Sequence, residues 1–201
     1  MDTREMVKAR VMTAADLDRT LNRMAREIVE HLDPSPDSDA LALIGLQSRG
    51  VVLAARLRDK IRQVEGIGLP LGVLDTTLYR DDYRIRANRQ PVRPTDVPFD
   101  VAERHVVLVD DVLYTGRTLR AALDALLDLG RPASVRFLVL IDRGHREIPV
   151  CADFVGRIVP TSRGEEIRVW LEEQDEEDGV WLITTDSERI ETNGKLGGGI
   201  D

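Results

Sequence analysis

The 201-residue sequence predicts an α/β protein with a central, mostly parallel sheet flanked by helices. Three observations carry this. From residue 41 to 141, short apolar runs alternate with amphipathic helical stretches. The runs are apolar at successive positions, as strands buried on both faces require. They also lead into short polar turns before the next helix, where open α/β sheets bind ligands. The clearest case is VVLVDDVLYTGRT at 106–118. There a buried strand ends in Asp110 and Asp111, a turn contains Thr115, Gly116, Arg117 and Thr118, and a helix begins.

Taken in order, residues 1–12 read as a lead-in strand or an ordered tail. Thr13 suits an N-cap for a helix from about 14 to 32, with Leu17, Leu21, Met24 and Ile28 as its apolar stripe. Arg19, Arg23 and Arg26 fall on the opposite face, which by spacing alone is a solvated side. DPSPDSD at 33–39 is a loop. Residues 41–46 form a strand, 47–50 a turn and 51–64 a helix. Gly72 to Tyr79 reads as a strand. Arg80 to Pro98, aperiodic and rich in arginine, is a long loop of the kind that serves as a lid or a mobile hairpin. After the 106–118 stretch, Leu119, Ala122, Leu123, Leu126 and Leu127 mark a helix ending near 130–132, and 135–141 is the next strand. Shorter strand-like pieces follow at 154–159, 167–171 and 180–183. The acidic EEQDEED at 172–178 reads as a solvated hairpin turn, and 185–201 as a flexible tail.

The acidic pair and the turn after it make opposite demands. Free N–H groups at a helix start attract an anion, and glycine admits close backbone approach. Two carboxylates repel that anion unless the ligand also offers hydroxyls, so a sugar phosphate satisfies both. The turn at 47–50, with one arginine at its tip, suits a second phosphate group. No GxxxxGK[ST] or GxGxxG is present, which disfavours a P-loop ATPase and a dinucleotide fold. His145 has no nearby nucleophile or second ligand in the sequence.

Composition narrows the class further. A net charge of −8 argues against indiscriminate nucleic-acid binding but leaves room for a local basic patch. Of 28 basic residues 25 are arginine; guanidinium forks suit phosphate, but a compositional bias or an adaptation to salt is the simpler account of the count. One cysteine, Cys151, excludes an internal disulfide and a cysteine zinc cluster. The N-terminus lacks a signal-peptide core and no apolar run suits a membrane span, so a cytoplasmic protein with no membrane association is expected.

Four motifs together, GLQSRG at 45–50, DTTLYRDD at 75–82, the 106–118 stretch and DRGHRE at 142–147, resemble one branch of the type I phosphoribosyltransferases. That branch is the pyrimidine-operon attenuation regulators that are also uracil phosphoribosyltransferases, and the resemblance spans roughly residues 10 to 183. It implies a type I phosphoribosyltransferase fold over 1–184, with a small hood, mainly from the C-terminal part, and a flexible lid loop at about 80–98. It implies conversion of uracil and phosphoribosyl pyrophosphate to UMP and pyrophosphate with Mg²⁺. Asp110, Asp111 and Arg80 become the catalytic candidates, the two carboxylates meeting the ribose hydroxyls and reaching the metal through water. Ser48, Arg49 and Gly50 fall to the pyrophosphate, and Val112, Leu113, Tyr114, Thr115, Gly116, Arg117 and Thr118 to the rest of that substrate. Arg143 and Val159 fall to the base or nucleotide.

The same resemblance implies a homo-oligomer, at least a dimer, that responds to UMP or UTP and binds leader mRNA of a pyrimidine operon. Arg19, Asn22, Arg23, Arg26, Arg146 and Arg157 are the RNA candidates. Cys151 stands where the family commonly has a basic residue, and Asn22 and Arg26 replace a threonine and a histidine. Two alternatives are a transferase without RNA binding and a purine phosphoribosyltransferase.

Overall fold

The structure, a computed structural model, describes residues 6–32, 40–80 and 93–184. The expected tail at 185–201 and most of the expected lid, 81–92, lie outside them. A five-stranded, all-parallel sheet has the order β3-β2-β4-β5-β6. Its strands are β2 (Leu41–Leu46), β3 (Leu71–Leu74), β4 (His105–Leu113), β5 (Ser134–Asp142) and β6 (Phe154–Ile158). β4 is central, with Val109 in register with Gly45 on one side and Leu138 on the other.

Successive apolar residues place side chains on both faces. Leu43, Val107 and Val109 pack under α1 (Ala14–Leu32) and α2 (Arg49–Glu65). Ile44, Val106 and Leu108 pack under α3 (Arg117–Leu129). The expected sheet, buried on both sides, is therefore present. α1 starts where Thr13 and Asp16 cap each other: the Thr13 N–H donates to Asp16 Oδ2 at 3.0 Å and the Asp16 N–H to Thr13 Oγ1 at 3.2 Å. The Thr13 hydroxyl and N–H, with the Arg19 guanidinium, hold the Asp16 carboxyl down at about 2.

A second sheet, β1-β8-β7, is antiparallel and forms the hood. It joins β1 (Met6–Met12), β7 (Glu165–Trp170) and β8 (Gly179–Thr184). Ile167, Val169, Leu171 and Val180 share one apolar core with α1 and α2, so the hood is seated on the main body. The lead-in segment is thus a true strand, and the hood takes material from both ends of the described chain. Among the described residues no helix is long and apolar enough to cross a membrane.

Two local expectations are corrected. The strand expected over 72–79 stops at Leu74, and a 3₁₀ turn spans Thr77–Tyr79. The buried Asp75 carboxylate accepts the Thr77 N–H at 2.9 Å and the Thr77 hydroxyl at 2.6 Å, turning the chain out of the sheet. The acidic stretch 172–178 is not simply a solvated turn. It contains a short helix, α4 (Glu172–Asp175), and three of its acids are paired with arginines of α2.

Candidate active site

The polar turns after β2, β3, β4 and β5 meet at the carboxyl end of the parallel sheet. Backbone packing brings the first and third together. A Cβ on Gly50 would lie 2.3 Å from the Val109 carbonyl oxygen, and one on Gly45 would lie 2.4 Å from Val51 Cα. The start of α2 can therefore press on the end of β4 only because both residues are glycine. Gly50 is buried, and its side-chain-free packing brings Ser48 and Arg49 beside Asp110.

Asp110 is only 7% exposed. Its Oδ1 accepts the Asp111 N–H at 2.9 Å, and Asp111 Oδ1 accepts the Val112 N–H at 2.9 Å. Neither carboxylate accepts a hydrogen bond from an arginine or lysine among the described residues. Burial first, and the neighbouring Asp111 charge second, push the Asp110 carboxyl well above the usual carboxylate range, against the pull of Arg80. Arg80 is set by the 3₁₀ turn before it. The Tyr79 hydroxyl donates to Asp128 Oδ2 at 2.7 Å, and Arg120 Nη2 donates to the Tyr79 carbonyl at 3.1 Å, tying that turn to α3.

Two adjoining cavities, of about 420 and 340 Å³, share Arg80, Asp110, Val112 and Thr118. The first continues along Tyr114 to Thr118 at the start of α3, the second along Ser48, Arg49 and Asp111. The expected catalytic and phosphoribosyl pyrophosphate residues thus line one continuous cleft, apart from Gly50, whose part is packing; Arg143 and Val159, expected at the base, line neither cavity. Leu113 lines the first cavity but buries its side chain in the core, so it offers backbone. Gly116 has φ +90°, and a Cβ there would lie 2.5 Å from Val150 Cγ2, so the turn is closed to other residues. Arg117 lines the cavity too, yet its Nε donates to Glu147 Oε2 at 2.8 Å.

The loop after β5 braces this turn. The N–H groups of Glu147 and Ile148 donate to the Thr115 carbonyl at 2.9 and 3.0 Å. Arg146 donates to the Tyr114 carbonyl at 2.8 Å, the Val150 carbonyl at 3.2 Å and the Asp142 carboxylate. Arg143 lies over the Tyr114 ring, 4.1 Å from its centroid, and reaches the hood through Thr161 Oγ1 at 3.1 Å and the Glu165 carbonyl. Val159 donates its N–H to the Asp142 carbonyl at 2.8 Å and packs on the core.

Four residues that line the second cavity have no role assigned from the sequence: Gln47, Asp75, Thr77 and Arg93. The Arg93 N–H donates to Asp75 Oδ2 at 2.5 Å and the Asp75 N–H to Thr95 Oγ1 at 3.1 Å, so the far end of the 80–98 loop is sewn to β3. The DTT at 75–77, an acid and hydroxyls at a strand end, carries the same signal as the β4 terminus.

Of the six RNA candidates, Arg19 is 71% exposed at its side chain and pairs with Asp16 at 2.6 Å. Arg26 is exposed and makes no hydrogen bond or ion pair among the described residues. Asn22 bonds Asp18 and Lys60. Arg23 donates to the Val155 and Gly156 carbonyls at 3.1 and 2.7 Å, and Arg157 to the Val11 carbonyl at 2.7 Å. Arg146 is the loop brace already described.

A parallel sheet of this order, with an acidic pair and a glycine-containing turn closing its central strand beside a cleft, is an α/β fold of the phosphoribosyltransferase class. The phosphoribosyl transferase domain family matches residues 14–170. The chain is 51% identical over 175 residues to the bifunctional protein PyrR of Deinococcus deserti, covering 87% of this chain and 94% of that one. It is 54% identical over 175 residues to the protein of that name from Thermus thermophilus, with 87% and 95% covered. The hypoxanthine phosphoribosyltransferase of Trypanosoma cruzi in a ternary substrate complex superposes with a TM-score of 0.68 at 18% identity, covering 90% of this chain and 97% of that one, a likeness of fold alone. The chain belongs to the phosphoribosyl transferase domain family and, within it, to the group of the bifunctional PyrR proteins.

Proposed function

We propose that the protein is a uracil phosphoribosyltransferase that also regulates a pyrimidine operon by binding its leader mRNA in response to UMP or UTP. The observation that carries the catalytic half is the pair Asp110 and Asp111, without an arginine or lysine hydrogen bond among the described residues, in a cleft that also holds the α3 start and Arg49. The bond from the anomeric carbon to pyrophosphate breaks, the uracil nitrogen bonds that carbon, and the nitrogen's proton is lost. Positive charge develops on the ribose, as in glycoside cleavage. Asp110 and Asp111 hold the ribose hydroxyls beside that charge, and Arg80 balances the pair. The α3 start, from Thr115 to Thr118, takes the 5′-phosphate through N–H groups and hydroxyls. Ser48 and Arg49 take the pyrophosphate, with Gly50 allowing their approach. Arg143 and Val159 border the base side.

Mg²⁺ is the metal such a site suits. No group of three or more His, Cys, Asp or Glu forms a metal cage among the described residues. Two hard carboxylates at the cleft fit an ion that arrives with substrate phosphates and keeps its waters. Asp110 and Asp111 would hold it, and its charge would help neutralise the departing pyrophosphate.

The regulatory half rests on the kinship with proteins called bifunctional and on Arg19 and Arg26, which face solvent. Arg23, Asn22, Arg146 and Arg157 also have internal partners, so their replacement tests folding as well as RNA. The protein acts in the cytoplasm as a homo-oligomer, at least a dimer.

The test of the enzyme is Mg²⁺-dependent UMP formation, with Asp111→Asn reducing turnover by at least about tenfold; unchanged turnover removes the assigned role. Competition by hypoxanthine or guanine in place of uracil would favour the purine reading. For RNA, Arg19→Ala with Arg26→Ala should weaken nucleotide-enhanced, salt-sensitive binding to the leader hairpin, and intact binding rules that face out.

A further inference from the structure

A third cavity, of about 440 Å³, separates the hood from the active-site loops, with Arg49, Asp111, Trp170 and Asp175 in its wall. Arg49 also lines the cavity that holds Asp110 and Asp111, so it stands at the junction of the two. Its guanidinium is held there from the hood side: Nη2 donates to Asp175 Oδ1 at 2.7 Å. Asp175 is itself fixed, because its Oδ2 accepts the Leu171 N–H at 3.0 Å. One residue earlier, Gln174 Nε2 donates to the Ser48 carbonyl at 3.3 Å. Two consecutive residues of α4 thus grip two consecutive residues of the loop.

The structural attachment of this hairpin lies elsewhere. Arg56, two helical turns beyond Arg49 on α2, is forked by two carboxylates. It donates to both oxygens of Glu173 at 2.8 and 2.5 Å and to both oxygens of Asp178 at 2.8 Å. The contact of Arg49 with Asp175 adds one hydrogen bond to an anchor already made by four. It leaves Arg49 with free donors, among them a buried Nε without an acceptor. The Nε lies out of a ligand's reach, but the side chain is 32% exposed and its Nη1 bonds nothing among the described residues, so Nη1 is the donor left for an anionic ligand oxygen.

We propose that Asp175 is a positioning residue for pyrophosphate: it holds Arg49 across the junction with Nη1 free for the ligand's oxygens. This rests on the transferase reading above. The physical gain is preorganisation, since a free arginine loses much rotamer freedom when it closes on a ligand.

The test is calorimetric titration of inorganic pyrophosphate, with Mg²⁺, into the full chain as wild type, Asp175→Ala, Arg49→Ala and the double variant. Asp175→Ala should weaken binding at least about fivefold and Arg49→Ala more, while adding Asp175→Ala to Arg49→Ala should change it by less than about twofold. In turnover, Asp175→Ala should raise KM for phosphoribosyl pyrophosphate more than it lowers kcat. Wild-type affinity in Asp175→Ala, or a loss that persists undiminished without Arg49, overturns the proposal. Should Asp175→Ala not fold, Asp175→Asn replaces it, since its amide can satisfy only one of Leu171 N–H and Arg49. Pyrophosphate binding in the expected pattern without UMP formation supports the positioning role and overturns the transferase reading. No pyrophosphate binding by the wild type overturns both.

Discussion

Asp110 and Asp111 at the end of β4, and Glu173, Asp175 and Asp178 on the hairpin between β7 and β8, are two acidic clusters that meet one cavity through Asp111 and Asp175. In the hairpin each of the three carboxylates bonds an arginine of α2. The Arg56 hydrogen bonds draw the Glu173 carboxyl below its ordinary value, and they outweigh burial to do the same for Asp178. Burial opposes the Arg56 charge, yet Glu173 and Asp178 more than offset it and raise its pKa. At the β4 end the direction reverses: Asp110 is buried beside a like charge and pushed up. One cluster is compensated within the fold and holds it together. The other has no hydrogen bond from an arginine or lysine among the described residues and feels only the pull of Arg80, which costs stability and leaves the carboxylates open to hydroxyls and a cation.

The largest effect should follow from removing the charge of the β4 pair altogether. Asp110→Asn with Asp111→Asn should cut UMP formation by at least about 100-fold, measured as product per time at saturating uracil. Breaking the compensated cluster should show in stability instead. Arg56→Ala should cost about 2 kcal/mol, a discount on a fully buried pair because Glu173 is half exposed, and lower Tm by about 4–8 °C. That loss should shrink in acid, because depressed carboxyls contribute above their unfolded pKa and lose the contribution as pH falls through the folded one.

Asp110 has the opposite sign. Its folded pKa is raised, so the folded state is penalised as pH climbs from the unfolded value to the folded one. Asp110→Asn alone should therefore raise Tm at neutral pH by about 2–4 °C, roughly 1 kcal/mol, while lowering activity. The gain should vanish below pH about 4, where the carboxyl is protonated in both states. The smallest effect belongs to the α1 cap. Asp16→Ala should lower the thermal midpoint slightly at pH 7, and the difference from wild type should close as pH falls from 3.8 to about 2.

What the sequence made legible was local. β2, β4 and β5 are buried on both faces and carry unbroken apolar runs, and the signature at 106–118 brings its strand, acids and turn together without help from the rest of the chain. The hairpin's role was not legible. Its partners stand far away in sequence, Glu173 lying 117 residues from Arg56 and Asp175 lying 126 from Arg49, and six acids in seven positions look solvated when no cation is near. β3 was read too long for a related reason. Leu78 and Tyr79 have strand-forming side chains, but Asp75 captures Thr77 and ends the strand first. The pairing of β1 with β8 joins opposite ends of the described chain, and no periodicity announces it.

The most direct test of the Asp110–Asp111 pair is calorimetric titration of phosphoribosyl pyrophosphate with Mg²⁺ into the wild type and into Asp111→Asn. The dissociation constant should rise at least about tenfold in the variant while Tm stays equal or increases. Equal affinity in the two proteins would contradict the assignment of this pair to the ribose and its cation.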